Sequence, residues 1–82
     1  MDFLVIDDDK AFRDATCFLI EDDQHYAEGV DSGTRALQRL KEDKFDVALL
    51  DLNLGTENGL DVLTEIGKAH PSLSVIMLTA GG

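Results

Sequence analysis

The sequence predicts an α/β fold in which a parallel β-sheet carries helices on its faces. Three observations lead there. Apolar runs occur at Phe3-Leu4-Val5-Ile6, Val47-Ala48-Leu49-Leu50 and Val75-Ile76-Met77-Leu78. Each is apolar at every position, as in strands covered on both sides, and does not alternate as a half-solvated strand would. Between the runs lie segments whose apolar residues recur at helical spacing. Each run also stops abruptly at polar residues: Asp7-Asp8, Asp51 and Thr79.

The elements follow in order. The first strand, Phe3 to Ile6, ends at Asp7-Asp8-Asp9. Asp9 suits the N-cap of a helix from Lys10 to about Asp22, where Ala11, Phe12, Ala15, Phe18 and Leu19 form one apolar stripe. A short, weakly alternating stretch from His25 to Val30 reads as an edge strand. Ser32 then caps a second helix, Thr34 to about Asp43, with Ala36, Leu37 and Leu40 inward. Asp46 leads into the strand Val47 to Leu50, which stops at Asp51, and Leu52 to Asn58 reads as a loop. The third helix runs from Gly59 to about Ala69, with Val62, Leu63 and Ile66 facing in, and Pro71 ends it. Ser74 leads into the last strand, which stops at Thr79. The pattern is βαβαβαβ, whose crossovers are right-handed.

Eighty-two residues make a single domain, 1–82, with no internal repeat and no linker. Seven basic against seventeen acidic residues give a formal charge of −10. Such a segment is a poor match for nucleic-acid binding through phosphate neutralisation. No apolar run approaches the roughly 20 residues of a membrane helix, and none resembles a secretory signal. One cysteine, Cys17, forms neither an internal disulfide nor a thiolate zinc site, so a reducing, cytoplasmic setting is expected. Cys17, His25 and His70 are expected to have no chemical role.

All strand C-termini of a parallel sheet lie along one edge, where open α/β sheets bind ligands. If the first, third and fourth strands are neighbours, Asp7, Asp8, Asp51 and Thr79 converge there. An Asp after a strand is also a common turn former or helix cap, and that suffices for Asp9. Three strands ending this way together call for more. Carboxylates packed so closely repel one another, and either protons or a cation must relieve them. Hard oxygen ligands suit Mg2+, which keeps several waters and pairs with phosphoryl groups. Asp51 on the central strand is then placed to attack phosphorus, and Thr79 to donate its hydroxyl to a phosphoryl oxygen.

These residues resemble the receiver domain of bacterial two-component response regulators. The match rests on Asp7-Asp8 after Phe3–Ile6, on Asp51-Leu52-Asn53-Leu54 with Gly59 eight positions after Asp51, and on Thr79-Ala80 after Val75–Leu78. The resemblance implies a flavodoxin-like sheet, here of strand order 2-1-3-4. It implies that Asp51 receives phosphate from a sensor histidine kinase. Asp8, Asp51 and the Asn53 carbonyl would ligate Mg2+, with Asp7 acting through water and Thr79 as the switch hydroxyl.

Two departures bear on this. The family generally has proline four residues after the acceptor, where Gly55 stands, and a looser loop is expected. The resemblance also covers only the first two-thirds of the family's length. The segment carrying a further strand, two helices and the family's phosphate-pairing lysine is expected to be missing; Lys10, Lys41, Lys44 and Lys68 do not match it. A bare edge on the last strand and uncovered apolar surface then predict self-association, as an edge-paired or helix-swapped dimer. The chain is expected to be a phosphoacceptor and not an enzyme. The alternative function is a non-catalytic or engineered receiver fragment, a self-associating interaction module. A phosphohydrolase would want a carboxylate where Asn53 stands, and an EF-hand would want glutamate where Val62 stands.

Overall fold

The computed structural model describes residues 1–78. Its main sheet contains β1 (Asp2–Ile6), β2 (Tyr26–Val30), β3 (Val47–Asp51) and β6 (Ser74–Leu78). They are all parallel, in the order β2-β1-β3-β6. With β6 as the fourth strand, this is the expected order 2-1-3-4. Helices α1 (Lys10–Asp22), α2 (Gly33–Glu42) and α3 (Gly59–Ala69) connect the strands. Between β3 and α3 lies a small antiparallel hairpin of β4 (Asn53–Leu54) and β5 (Glu57–Asn58).

The helix starts lie within a residue of expectation because polar caps set them. Asp9 accepts a hydrogen bond from the Phe12 amide (3.2 Å), Ser32 from that of Arg35 (3.1 Å), and Asn58 from that of Leu60 (2.9 Å). Each satisfies a backbone donor that has no partner within its own helix.

Alternation along the strands sends residues to opposite faces of the sheet. Leu4, Ile6, Ala48 and Leu50 meet Ala36 and Leu40 of α2 and Val62 and Ile66 of α3, forming the main core. Leu37 and Leu63, expected to face in, pack against its margin. The other face carries Val5 and Gly29, and α1 lies over β1 and β2 there.

Helix α1 departs from the simple amphipathic expectation. Its apolar stripe does not face the sheet: Phe18 is 70% and Leu19 69% exposed, and Phe12 is exposed as well. The half-buried residues are Arg13, Thr16, Cys17 and Ile20, an i, i+3, i+4, i+7 set on a different side. Apolar periodicity locates a stripe but not the element that covers it, and no described residue covers this one.

The segment after β3 is also tighter than a loose loop. Asn53 pairs with Asn58 and Leu54 with Glu57, leaving Gly55-Thr56 as a two-residue turn. Gly55 has φ +66° whereas Thr56 does not have positive φ, the pattern of a type II′ hairpin with glycine first. Proline, locked near φ −65°, cannot make this turn. Leu54 is buried in the core, and the Glu57 carboxylate accepts a hydrogen bond from the Gly33 amide at 2.8 Å, tying the hairpin to the start of α2.

Candidate functional site

Neighbouring parallel strands carry the acids to one rim. Asp7 follows the last residue of β1 and Asp51 ends β3 beside it. One carboxylate oxygen each from Asp7, Asp8 and Asp51 lies within 4.8 Å of the others. Thus three of the expected site residues come together. Asn53 is adjacent, and its amide donates to Asp51 Oδ1 at 3.0 Å. Thr79 lies outside the described residues. Lys10 is engaged elsewhere, in an exposed pair with Asp14 at 2.7 Å.

The three acids differ in setting. Asp7 is 2% exposed, Asp51 is half-buried and Asp8 is exposed. Asp7 is held from several sides: its amide donates to the Val30 carbonyl (3.1 Å), and its Oδ1 accepts from the Asp9 amide (2.9 Å). Its carbonyl accepts from Arg13 Nη1 at 2.8 Å. Burial pushes the Asp7 carboxyl above its ordinary value of 3.8, and the neighbouring Asp51 and Asp8 push the same way. The Asp9 amide opposes them but does not prevail.

This donor set suits a small divalent cation. Three carboxylates supply hard oxygens, two of them open enough to leave room for water. The Gly55 turn hangs over the site, since a Cβ built there would stand 3.2 Å from Asp8 Oδ2. Sequence reasoning noted Gly55 only as a departure, and it passed over Arg13. A basic residue off the apolar stripe, one helical turn after an N-cap, was the available signal.

The raised Asp7 value sets a pH dependence. The folded state holds the Asp7 proton more tightly than the unfolded chain does. That contribution to stability is present below 3.8 and lost as pH rises through the folded value. Above it, the ionised Asp7 carboxylate opposes folding, and a bound cation would relieve it. Melting followed with and without Mg2+ should therefore show a large increment near neutral pH that fades on acidification. An increment independent of pH would contradict this.

The comparisons with known proteins agree with this geometry. The family model for the response regulator receiver domain matches residues 3–82. The fold and its acidic rim are those of a phosphorelay signalling domain. The chain belongs to the response regulator receiver domain family. It is 34% identical over 77 residues to the alginate biosynthesis transcriptional regulatory protein AlgB of Pseudomonas putida, covering 94% of this chain and 17% of that protein. It is 30% identical over 82 residues to the two-component response regulator PhoP of Pseudomonas aeruginosa, covering 100% of this chain and 36% of that one. A CheY-like receiver domain from Methanospirillum hungatei superposes with TM-score 0.92 at 27% identity, over 99% of this chain and 65% of that one. NtrX from Brucella abortus, in complex with ADP, gives 0.90 at 32% identity, over 99% of this chain and 18% of that one. The chain thus spans about a sixth to a third of the curated relatives cited and about two-thirds of that isolated receiver domain. No helix among the described residues is long and apolar enough to cross a membrane.

Proposed function

We propose that Asp51 accepts a phosphoryl group from the phosphohistidine of a sensor kinase, in the presence of Mg2+, and so relays a signal. The observation that carries this reading is the convergence of Asp7, Asp8 and Asp51 oxygens within 4.8 Å at the carboxyl edge of the sheet. Asp8, Asp51 and the Asn53 carbonyl would hold the ion directly, with Asp7 acting through water. When bound, Mg2+ would offset charge on the transferring group.

The rest falls to the chain itself. The Asn53 amide donates to Asp51 Oδ1 and orients the carboxylate, and the other carboxylate oxygen would be the attacking one. A bond forms from that oxygen to phosphorus as the phosphorus–nitrogen bond to the kinase imidazole breaks. The electron pair returns to the imidazole nitrogen, which takes a proton from solvent. The product is an acyl phosphate on Asp51. Thr79 would close on it as the switch hydroxyl, a role that rests on the family resemblance. The domain acts in this reading as a phosphoacceptor, not an enzyme that turns over a separate substrate. Asn53 stands where a phosphohydrolase would need a second carboxylate.

Intact-mass analysis after incubation with Mg2+ and acetyl phosphate tests the proposal. One hydroxylamine-labile phosphoryl group per chain is expected, absent in Asp51→Asn and absent with chelator. Equal labelling of wild type and Asp51→Asn would overturn it, as would no labelling of the wild type.

The same reading places the protein in the cytoplasm with its kinase. AlgB is named a transcriptional regulatory protein, and control of transcription is the output proposed for the protein carrying this domain. Self-association belongs here too. Among the described residues β6 is paired only on its β3 side, and Ile76, Phe12, Phe18 and Leu19 are exposed. Apolar surface on α1 and an unpaired edge on β6 each favour a second copy. Light scattering of the 82-residue chain should report a dimer or larger species, and a monomer at every concentration tested would refute this.

A further inference from the structure

We propose that Arg13 is a positioning residue for the metal centre, fixing the peptide between Asp7 and Asp8 so that the Asp8 carboxylate stays turned toward Asp51. The inference rests on reading the acidic rim as a Mg2+ site. Its basis is a contact that uses neither a carboxylate nor the cation.

The last residue of β1 in register with both neighbours is Ile6, paired with Val30 of β2 and Leu50 of β3. Beyond it the Asp7 amide still donates to the Val30 carbonyl. The Asp7 carbonyl points elsewhere and receives Arg13 Nη1 at 2.8 Å. That carbonyl shares a rigid peptide plane with the Asp8 amide. Turning the plane would swing Asp8, the most exposed of the three acids, away from the others. A charge-assisted bond to the carbonyl opposes that turn. Among the described residues Arg13 makes no ion pair. Its guanidinium is instead held by the backbone carbonyl of Asp7.

Reaching the carbonyl requires a path for the side chain, and Gly29 provides it. A Cβ at position 29 would lie 2.8 Å from Arg13 Cγ, 2.9 Å from Cδ and 3.4 Å from Nε. The stem of Arg13 occupies the space where any other residue at position 29 would begin its side chain. Glycine inside a strand often marks such a close approach. Arg13 and Gly29 are thus two halves of one device, contributed by α1 and β2 and serving a rim formed by β1 and β3.

Calorimetric Mg2+ titration of the 82-residue chain tests this, alongside metal-free melting and amide hydrogen exchange at Asp8. Arg13→Met keeps the apolar stem and removes the donor. It should weaken Mg2+ binding about 10–100-fold, as loss of an outer-shell partner does, and speed exchange at Asp8 without metal. Arg13→Lys, which can still donate one bond, should recover part of the affinity. Gly29→Ala should reproduce the loss with the guanidinium retained, and it keeps the question decidable if Arg13→Met fails to fold. Wild-type affinity in Arg13→Met and Gly29→Ala, with binding abolished in Asp51→Asn, would overturn the inference and leave the site reading intact. A loss in Arg13→Met with unchanged Asp8 exchange and no recovery by lysine would mark Arg13 as merely structural. No Mg2+ binding by the wild type would remove the site reading and the inference together.

Discussion

Gly59→Ala should destabilise the fold and loosen the metal site, while Gly67→Ala in the same helix should stabilise it. Neither glycine has positive φ, so backbone strain plays no part. The difference is steric. A Cβ at 59 would stand 2.5 Å from the Leu52 carbonyl oxygen and 2.6 Å from its Cα. Those are backbone atoms and cannot rotate aside. Gly59 also donates its amide to that carbonyl at 3.2 Å, so the first residue of α3 sits directly on the chain leaving Asp51. A methyl group there must push Leu52 away and carry Asp51 with it. The expected cost is about 1–3 kcal/mol, the usual range for overpacking, together with weaker Mg2+ binding. At Gly67 nothing lies within 4 Å of the built Cβ. Alanine there should add about 0.5–1 kcal/mol through helix propensity. Denaturant unfolding of both variants checks the pair, and the same sign for both would refute the steric account.

Ile66→Ala should cost about 2–5 kcal/mol, the range for emptying a buried aliphatic site. Ile66 is 0% exposed and packs in the cluster that joins α3 to Leu4, Ile6 and Leu50. A core this small rarely supplies more than about 3–5 kcal/mol in all, so a large fraction of the variant should be unfolded near room temperature. Leu60→Ala is the matched control. Leu60 lies on the same helix yet is 58% exposed, and its loss should fall within about 0.5 kcal/mol. If both variants lost several kcal/mol, the orientation of α3 would need revision. Circular dichroism during urea unfolding distinguishes the cases.

The site's composition was legible in the sequence because its residues sit where strands end. Runs such as Val47–Leu50 read as buried strands from local pattern alone, and a parallel sheet puts every carboxyl end on the same side. Asp7, Asp8 and Asp51 therefore had to share a rim once β1 and β3 were neighbours. The caps were legible for the same reason: Asp9, Ser32 and Asn58 act on amides only two or three residues away.

Other features depend on partners distant in sequence. The outward direction of Phe12, Phe18 and Leu19 follows from which side of α1 meets β1 and β2, and that side is half polar. The hairpin of Asn53–Asn58 needed the burial of Leu54 and the reach of Glu57 to the Gly33 amide, 24 residues away. The contact of Arg13 with the Asp7 carbonyl needed Gly29 to be vacant above the stem. Periodicity, capping and strand-end acids are local quantities, so the chain determined its sheet, its helices and the makeup of its acidic rim. How that rim is braced is a matter of excluded volume between segments far apart along the chain, and only the packed structure decides it.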